Sequence, residues 1–144
     1  MATLISDIVS KGQLSRPEIE TSAIDRLFRY VSKYVSALFI TLGFHPSAIT
    51  ALAIICSLLS GLFLAEGSDS GFLIAGILAF LFLLFDYCDG EMARYLGKSS
   101  PFGHYLDYLA HFIWFASFSV GFAFGFMKNN PGNTNLFISL AGVA

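Results

Sequence analysis

The chain has 144 residues, of which 56% are hydrophobic, 16% aromatic and only 12% charged. Soluble domains carry about 25% charged residues, and a soluble core of this size cannot hide so much apolar surface. A net charge of −2 offers no basic excess for nucleic acid. The apolar residues fall into runs, which points to a membrane.

Residues 1–15 are weakly patterned and expected to fray, with no basic stretch leading into the apolar core of a cleavable signal peptide. From Thr21 the pattern changes: Ile24, Leu27, Phe28, Val31, Val35 and Leu38 recur at helical spacing, with Arg26, Arg29 and Lys33 off the stripe. Ser22 followed by Asp25 marks a helix start. The segment reads as an amphipathic helix lying on the membrane surface; a helix docked on a partner protein is the alternative. Gly43 and Pro46 end it.

Residues 47–65 then form a charge-free run long enough to cross a bilayer. A polar turn, 66–70, leads into a second span over 71–88. A polar segment over 91–104 precedes a third span over 108–127. After a loop at 128–135, the run 136–144 is too short to span, so the fold is expected to be incomplete at its C-terminus. Lys11, Arg16, Arg26, Arg29 and Lys33 precede the first span, and Arg94 and Lys98 lie between the second and third. The positive-inside rule therefore puts the N-terminus and the 91–104 segment in the cytoplasm. The predicted fold class is all-α: a polytopic helical membrane protein with an N-terminal amphipathic interfacial helix. Residues 1–43 form the cytoplasmic N-terminal segment, and 44–144 a transmembrane domain of three spans plus a partial fourth. Cys56 and Cys88 lie in apolar segments and read as buried small residues rather than a disulfide.

The stretch LFDYCDGEMARYLG, residues 84–97, carries a long apolar run straight into two aspartates. Asp86, Asp89, Gly90 and Ala93 share one face of a helix, and Gly103, Asp107 and His111 share a face of the next. If these faces oppose each other, three carboxylates and an imidazole converge at the cytoplasmic end of the bundle. Such a cluster repels itself unless a cation sits within it, and its oxygens suit Mg²⁺, Mn²⁺ or Ca²⁺. Gly90, Ala93 and Gly103 leave room for a close helix or a flat ligand. Arg94 offers a fork of donors for phosphate. Together these features suit a diphosphate.

Read as D-x2-D-G-x2-A-R-x8-G-x3-D-x3-H, residues 86–111 closely resemble the signature of the CDP-alcohol phosphotransferases, also called CDP-alcohol phosphatidyltransferases. The stretch HPSAIT, 45–50, resembles the Pro-Asn-x-x-Thr start of that family's first span, with Ser47 in place of Asn. The resemblance implies a helical membrane enzyme, typically of six spans and often a homodimer. It moves a substituted phosphate from a CDP-alcohol donor to a small or lipid acceptor alcohol and releases CMP, as in phospholipid biosynthesis. Carried over, Asp86, Asp89 and Asp107 become ligands of two divalent ions, Mg²⁺ or Mn²⁺. Gly90, Ala93, Arg94 and Gly103 become the cytidine-diphosphate site. Membrane lipids are the expected surroundings, and nucleic acid is not an expected partner.

The chain departs from the signature at His111, where the family usually carries the Asp that serves as a metal-site residue and as base for the acceptor hydroxyl. An imidazole can do both, so His111, with Asp107, is the expected catalytic group and also a candidate ligand. The bland reading is a histidine bonded to a neighbouring helix. Glu91 points away from the shared face and is expected to be solvated. Lys98 is expected to serve topology or a lipid phosphate, and His104 to be interfacial. Thr50 either faces the nucleotide or bonds back to its own helix. Three competing functions remain: a catalytically impaired homologue or subunit that binds metal or nucleotide, an intramembrane prenyltransferase, and an ion-coupled transporter. The prenyltransferase leaves Gly90, Ala93 and Arg94 unexplained, and the transporter requires carboxylates nearer mid-membrane.

Overall fold

The computed structural model describes residues 2–13 and 22–133, and the expected partial fourth span at 136–144 lies outside them. The described residues are mostly helical, without strands: α1 (Ala2–Asp7) runs into a π-helical turn (Ile8–Gln13), followed by α2 (Ala23–Thr41), α3 (Pro46–Glu66), α4 (Asp69–Tyr95) and α5 (Pro101–Asn129), with a short 3₁₀ turn at Pro131–Asn133. Three of these, α3, α4 and α5, are long and apolar enough to cross a membrane. The all-α, polytopic expectation therefore stands.

Local chemistry sets the boundaries. Ser22 and Asp25 form a reciprocal capping box at the start of α2, satisfying two amide donors that the helix cannot. Pro46 and Pro101 occupy first-turn positions, where a missing N–H costs nothing. Ser68 and Ser100 accept from the amides of Gly71 and Gly103, each at 3.0 Å. At the end of α3, Gly67 adopts φ 69°, a left-handed conformation that suits glycine.

Helices α3, α4 and α5 form the bundle, and α2 lies against α4. The α3–α5 contact is backbone on backbone. A Cβ on Gly121 would collide with the carbonyl of Gly61, and one on Gly125 with that of Leu64. Small residues permit this approach. Beyond it, Lys128 Nζ donates to Glu66 O at 2.8 Å and Asn129 Nδ2 to Gly67 O at 2.7 Å, tying the end of α5 to the end of α3.

Two apolar clusters hold the opposite end. Phe28, Ile49, Leu84, Cys88 and Met92 join α2, α3 and α4. Ala53, Phe82 and Ala110 join α3, α4 and α5, with Trp114 stacked on Phe82 at 5.3 Å between ring centroids. Many large apolar side chains remain outside both clusters; Leu62 and Leu73 are each 68% exposed and Phe112 71%. That outward apolar surface fits a lipid environment. Cys56 and Cys88 are free thiols, the second fully buried.

Two expectations fail here. Residues 2–13 are not frayed: they form helical turns with Ile8 fully buried and the 8–13 turn packed on α4. Glu91 is not solvated but only 2% exposed. Both failures have one cause. The face of α4 away from the aspartates meets α2 and the N-terminal turn rather than water, and a helical wheel for α4 alone cannot display that second wall.

Candidate active site

Helix α4 continues to Tyr95 and α5 begins at Pro101. The segment read as polar, 91–104, is thus mostly helix, and Leu96–Ser100 is all that joins the two. Both helices pack on α3 and are joined by this short connection, and the two expected faces line a common cavity. A cavity of about 550 Å³ opens between them, and Asp86, Asp89, Gly90, Ala93, Arg94, Gly103, Asp107 and His111 all line it.

The tightest cluster is Asp86, Asp107 and His111, whose candidate ligand atoms all lie within 4.8 Å of one another. His111 Nδ1 stands 3.7 Å from Asp86 Oδ1 and 3.5 Å from Asp107 Oδ1. It also lies 3.1 Å from the backbone carbonyl of Asp107. A carbonyl only accepts, so this contact favours the tautomer protonated on Nδ1, with the lone pair on Nε2. The ring is held from the side by Phe82, edge to face at 5.7 Å.

Asp89 faces the same cavity but stands outside that trio. It is 8% exposed, and its Oδ2 accepts from Thr50 Oγ1 at 2.5 Å. Thr50 also reaches back to Pro46 O at 3.4 Å. Of the two readings for Thr50, the bond back to its own helix is therefore present, while the shorter contact of the hydroxyl is to Asp89 at the cavity wall. Of the four expected ligands, three converge and the fourth is engaged by α3.

The donor set allows a divalent ion. Ligands of a six-coordinate Mg²⁺ stand about 2.1 Å from the ion, and atoms within 4.8 Å of one another are near enough to converge on one after side-chain movement. Two carboxylates carry most of the donor oxygen, which suits Mg²⁺ or Mn²⁺. Clustered carboxylates repel, and a cation relieves that repulsion.

The small residues and the arginine sit as a unit. A Cβ on Gly90 would stand 3.2 Å from Arg94 Nη1, so the guanidinium occupies the space that glycine leaves. Arg94 Nε donates to the carbonyl of Gly12. Lys98 and the exposed His104 also reach the cavity wall.

Sequence reasoning missed the wall built by α2. Asp25 and Arg29 line the cavity as well. The Tyr87 hydroxyl donates to Asp25, and this bond, followed by the Ser22 amide, holds the Asp25 carboxyl below its ordinary value. Arg29 Nη1 donates to Gln13 O at 3.3 Å. The available signal was the i, i+4, i+7, i+11 spacing of Asp25, Arg29, Ser32 and Ser36, a polar stripe on a helix whose other side is apolar.

A family model described as CDP-alcohol phosphatidyltransferase matches residues 44–143. No curated protein matches the chain.

Proposed function

Because the chain belongs to the CDP-alcohol phosphatidyltransferase family, we propose that it is an integral-membrane transferase that moves a substituted phosphate from a CDP-alcohol to an acceptor alcohol, with CMP as the leaving group. The observation that carries this reading is the single cavity shared by all eight motif positions.

Asp86, Asp107 and His111 would hold a divalent ion, and Asp89 would serve a second. Bound there, Mg²⁺ or Mn²⁺ would neutralise the diphosphate and polarise the phosphorus under attack. The chain supplies the rest. Ala93 and Gly103 add little side-chain bulk to the cavity wall where the nucleotide diphosphate would lie, and Gly90 makes room there for the Arg94 guanidinium. Arg94 presents its terminal nitrogens to phosphate oxygens. His111 Nε2 accepts the proton of the acceptor hydroxyl, while Nδ1–H rests on the Asp107 carbonyl. Asp107 orients that ring and shares the ion. One imidazole lone pair serves either as base or as ligand at a given moment, so a base role for His111 leaves the ion chiefly to carboxylates.

In this proposal 44–144 is the transmembrane catalytic domain and 1–43 a peripheral segment whose α2 lies at the membrane surface. The concentration of Lys and Arg before α3 and around the α4–α5 connection supports a cytoplasmic N-terminus and cavity. His111 at a position where the family usually has Asp favours a second reading, a nucleotide-binding homologue without turnover.

The test uses protein purified in detergent. Mg²⁺- or Mn²⁺-dependent binding of CDP, and CMP release from CDP-diacylglycerol or CDP-choline with candidate acceptors, would support the transferase. Binding without release indicates the inactive homologue. An absence of nucleotide binding sinks both.

A further inference from the structure

The far side of α4 carries a buried carboxylate that the proposed chemistry does not use. Glu91 accepts from Ser32 Oγ at 2.6 Å, Gln13 Nε2 at 2.8 Å and Ser36 Oγ at 3.0 Å. A buried carboxylate is costly unless its oxygens are satisfied, and here three donors from two other elements satisfy them. One turn along α4, Arg94 Nε donates to the carbonyl of Gly12.

Glu91 and Arg94 are three residues apart and therefore neighbours on the helix surface. Between them they grip consecutive residues of the N-terminal turn: Glu91 holds Gln13, and Arg94 is held by Gly12. The turn lies backbone-on against the helix, since a Cβ on Gly12 would stand 3.1 Å from the carbonyl oxygen of Glu91. Gln13 Nε2 also donates to Arg29 O at 2.8 Å, linking the same turn to α2.

An arginine side chain is long and has many rotamers. Anchoring Nε removes most of that freedom and leaves the terminal nitrogens facing one way. Gly90 provides the space they fill.

We propose that Glu91 is a positioning residue: it docks the Ile8–Gln13 turn on α4, and the docked turn fixes the Arg94 guanidinium at the cavity for an anionic diphosphate. This rests on the reading of Arg94 as a phosphate-binding group given above. It adds that residues far from the motif in sequence set that group's aim.

The test pairs two readouts in detergent-purified protein. The first is Mn²⁺-dependent affinity for CDP, measured for Glu91→Gln, Glu91→Ala, Gln13→Ala, Arg94→Ala and the Gln13→Ala/Arg94→Ala double variant. Glu91→Gln keeps an acceptor for Gln13 and Ser32 and is expected to bind within about twofold of wild type. Gln13→Ala and Glu91→Ala are expected to weaken CDP by about tenfold, the scale of one charge-assisted contact. In the Arg94→Ala background, Gln13→Ala is expected to change nothing further, since interacting sites are non-additive. Gln13→Ala keeps the question open to decision if Glu91→Ala fails to fold. The second readout is tryptic cleavage after Lys11: slow in wild type and Glu91→Gln, faster in Gln13→Ala. Fully additive losses, or equal cleavage in wild type and Gln13→Ala, overturn the proposal. If wild type fails to bind CDP, the nucleotide reading falls on its own, and cleavage still decides whether Glu91 docks the turn.

Discussion

Asp86 and His111, on different helices and twenty-five positions apart in sequence, bring Oδ1 and Nδ1 to 3.7 Å of each other. That proximity exists because α4 and α5 both pack on α3 and are joined by a short connection, Leu96–Ser100. It makes the last motif position the point where metal binding and proton transfer would meet.

His111→Ala is expected to remove turnover while largely sparing CDP binding. Loss of a general base costs about 10²- to 10⁴-fold. CMP release and CDP affinity measured on the same preparation decide it, and near-normal turnover refutes the base assignment.

Thr50→Val keeps the shape of the side chain but removes the donor to Asp89 Oδ2. Leaving a buried acceptor short of a partner costs about 1–3 kcal/mol. A lowered thermal midpoint in detergent is expected, with Mn²⁺ binding retained because the trio of Asp86, Asp107 and His111 is untouched. An unchanged midpoint would mean that the bond adds no stability.

Gly121→Val is expected to drive α3 and α5 apart, because its Cβ meets the Gly61 carbonyl. Overpacking of this kind costs about 1–3 kcal/mol. Gly76→Ala is the matched control: a Cβ there meets nothing within 4 Å, and alanine favours a helix by about 0.5–1 kcal/mol. Thermal midpoints of the two variants should move in opposite directions.

Acid should loosen α2. The Asp25 carboxyl is held below its ordinary value of 3.8, first by the Tyr87 hydroxyl and then by the Ser22 amide. A lowered folded-state value means that the ionised form stabilises the fold above the ordinary value, and that this contribution disappears as pH falls through the lowered one. Asp25→Asn should therefore be less stable than wild type near neutrality, with the gap closing below about pH 4. A gap independent of pH would refute the linkage.

Much of the site could be read from residue order because it is built from two adjacent helices. On a helix, spacings of three and four residues translate directly into a shared face, so residue order alone places Asp86, Asp89, Gly90 and Ala93 on one face, and Gly103, Asp107 and His111 on another. Apolar run length likewise identified α3, α4 and α5, and Ser22 with Asp25 marked the start of α2. Helix ends were less legible. Composition turns polar near residue 90, but α4 runs on to Tyr95 because the polar residues there still have partners within the fold.

What the chain's own order determined was therefore its class, its apolar helices and the acidic faces of two neighbours. Tertiary structure alone decided what lay behind those faces. Glu91, pointing away from the aspartates, could equally have met water; only the arrival of Ser32, Ser36 and Gln13 made its burial possible. Asp89 lines the same cavity as its expected fellow ligands but is hydrogen-bonded to Thr50, a residue on another helix. Periodicity is a local property of one helix, whereas burial and hydrogen-bond satisfaction depend on which second surface packs against it.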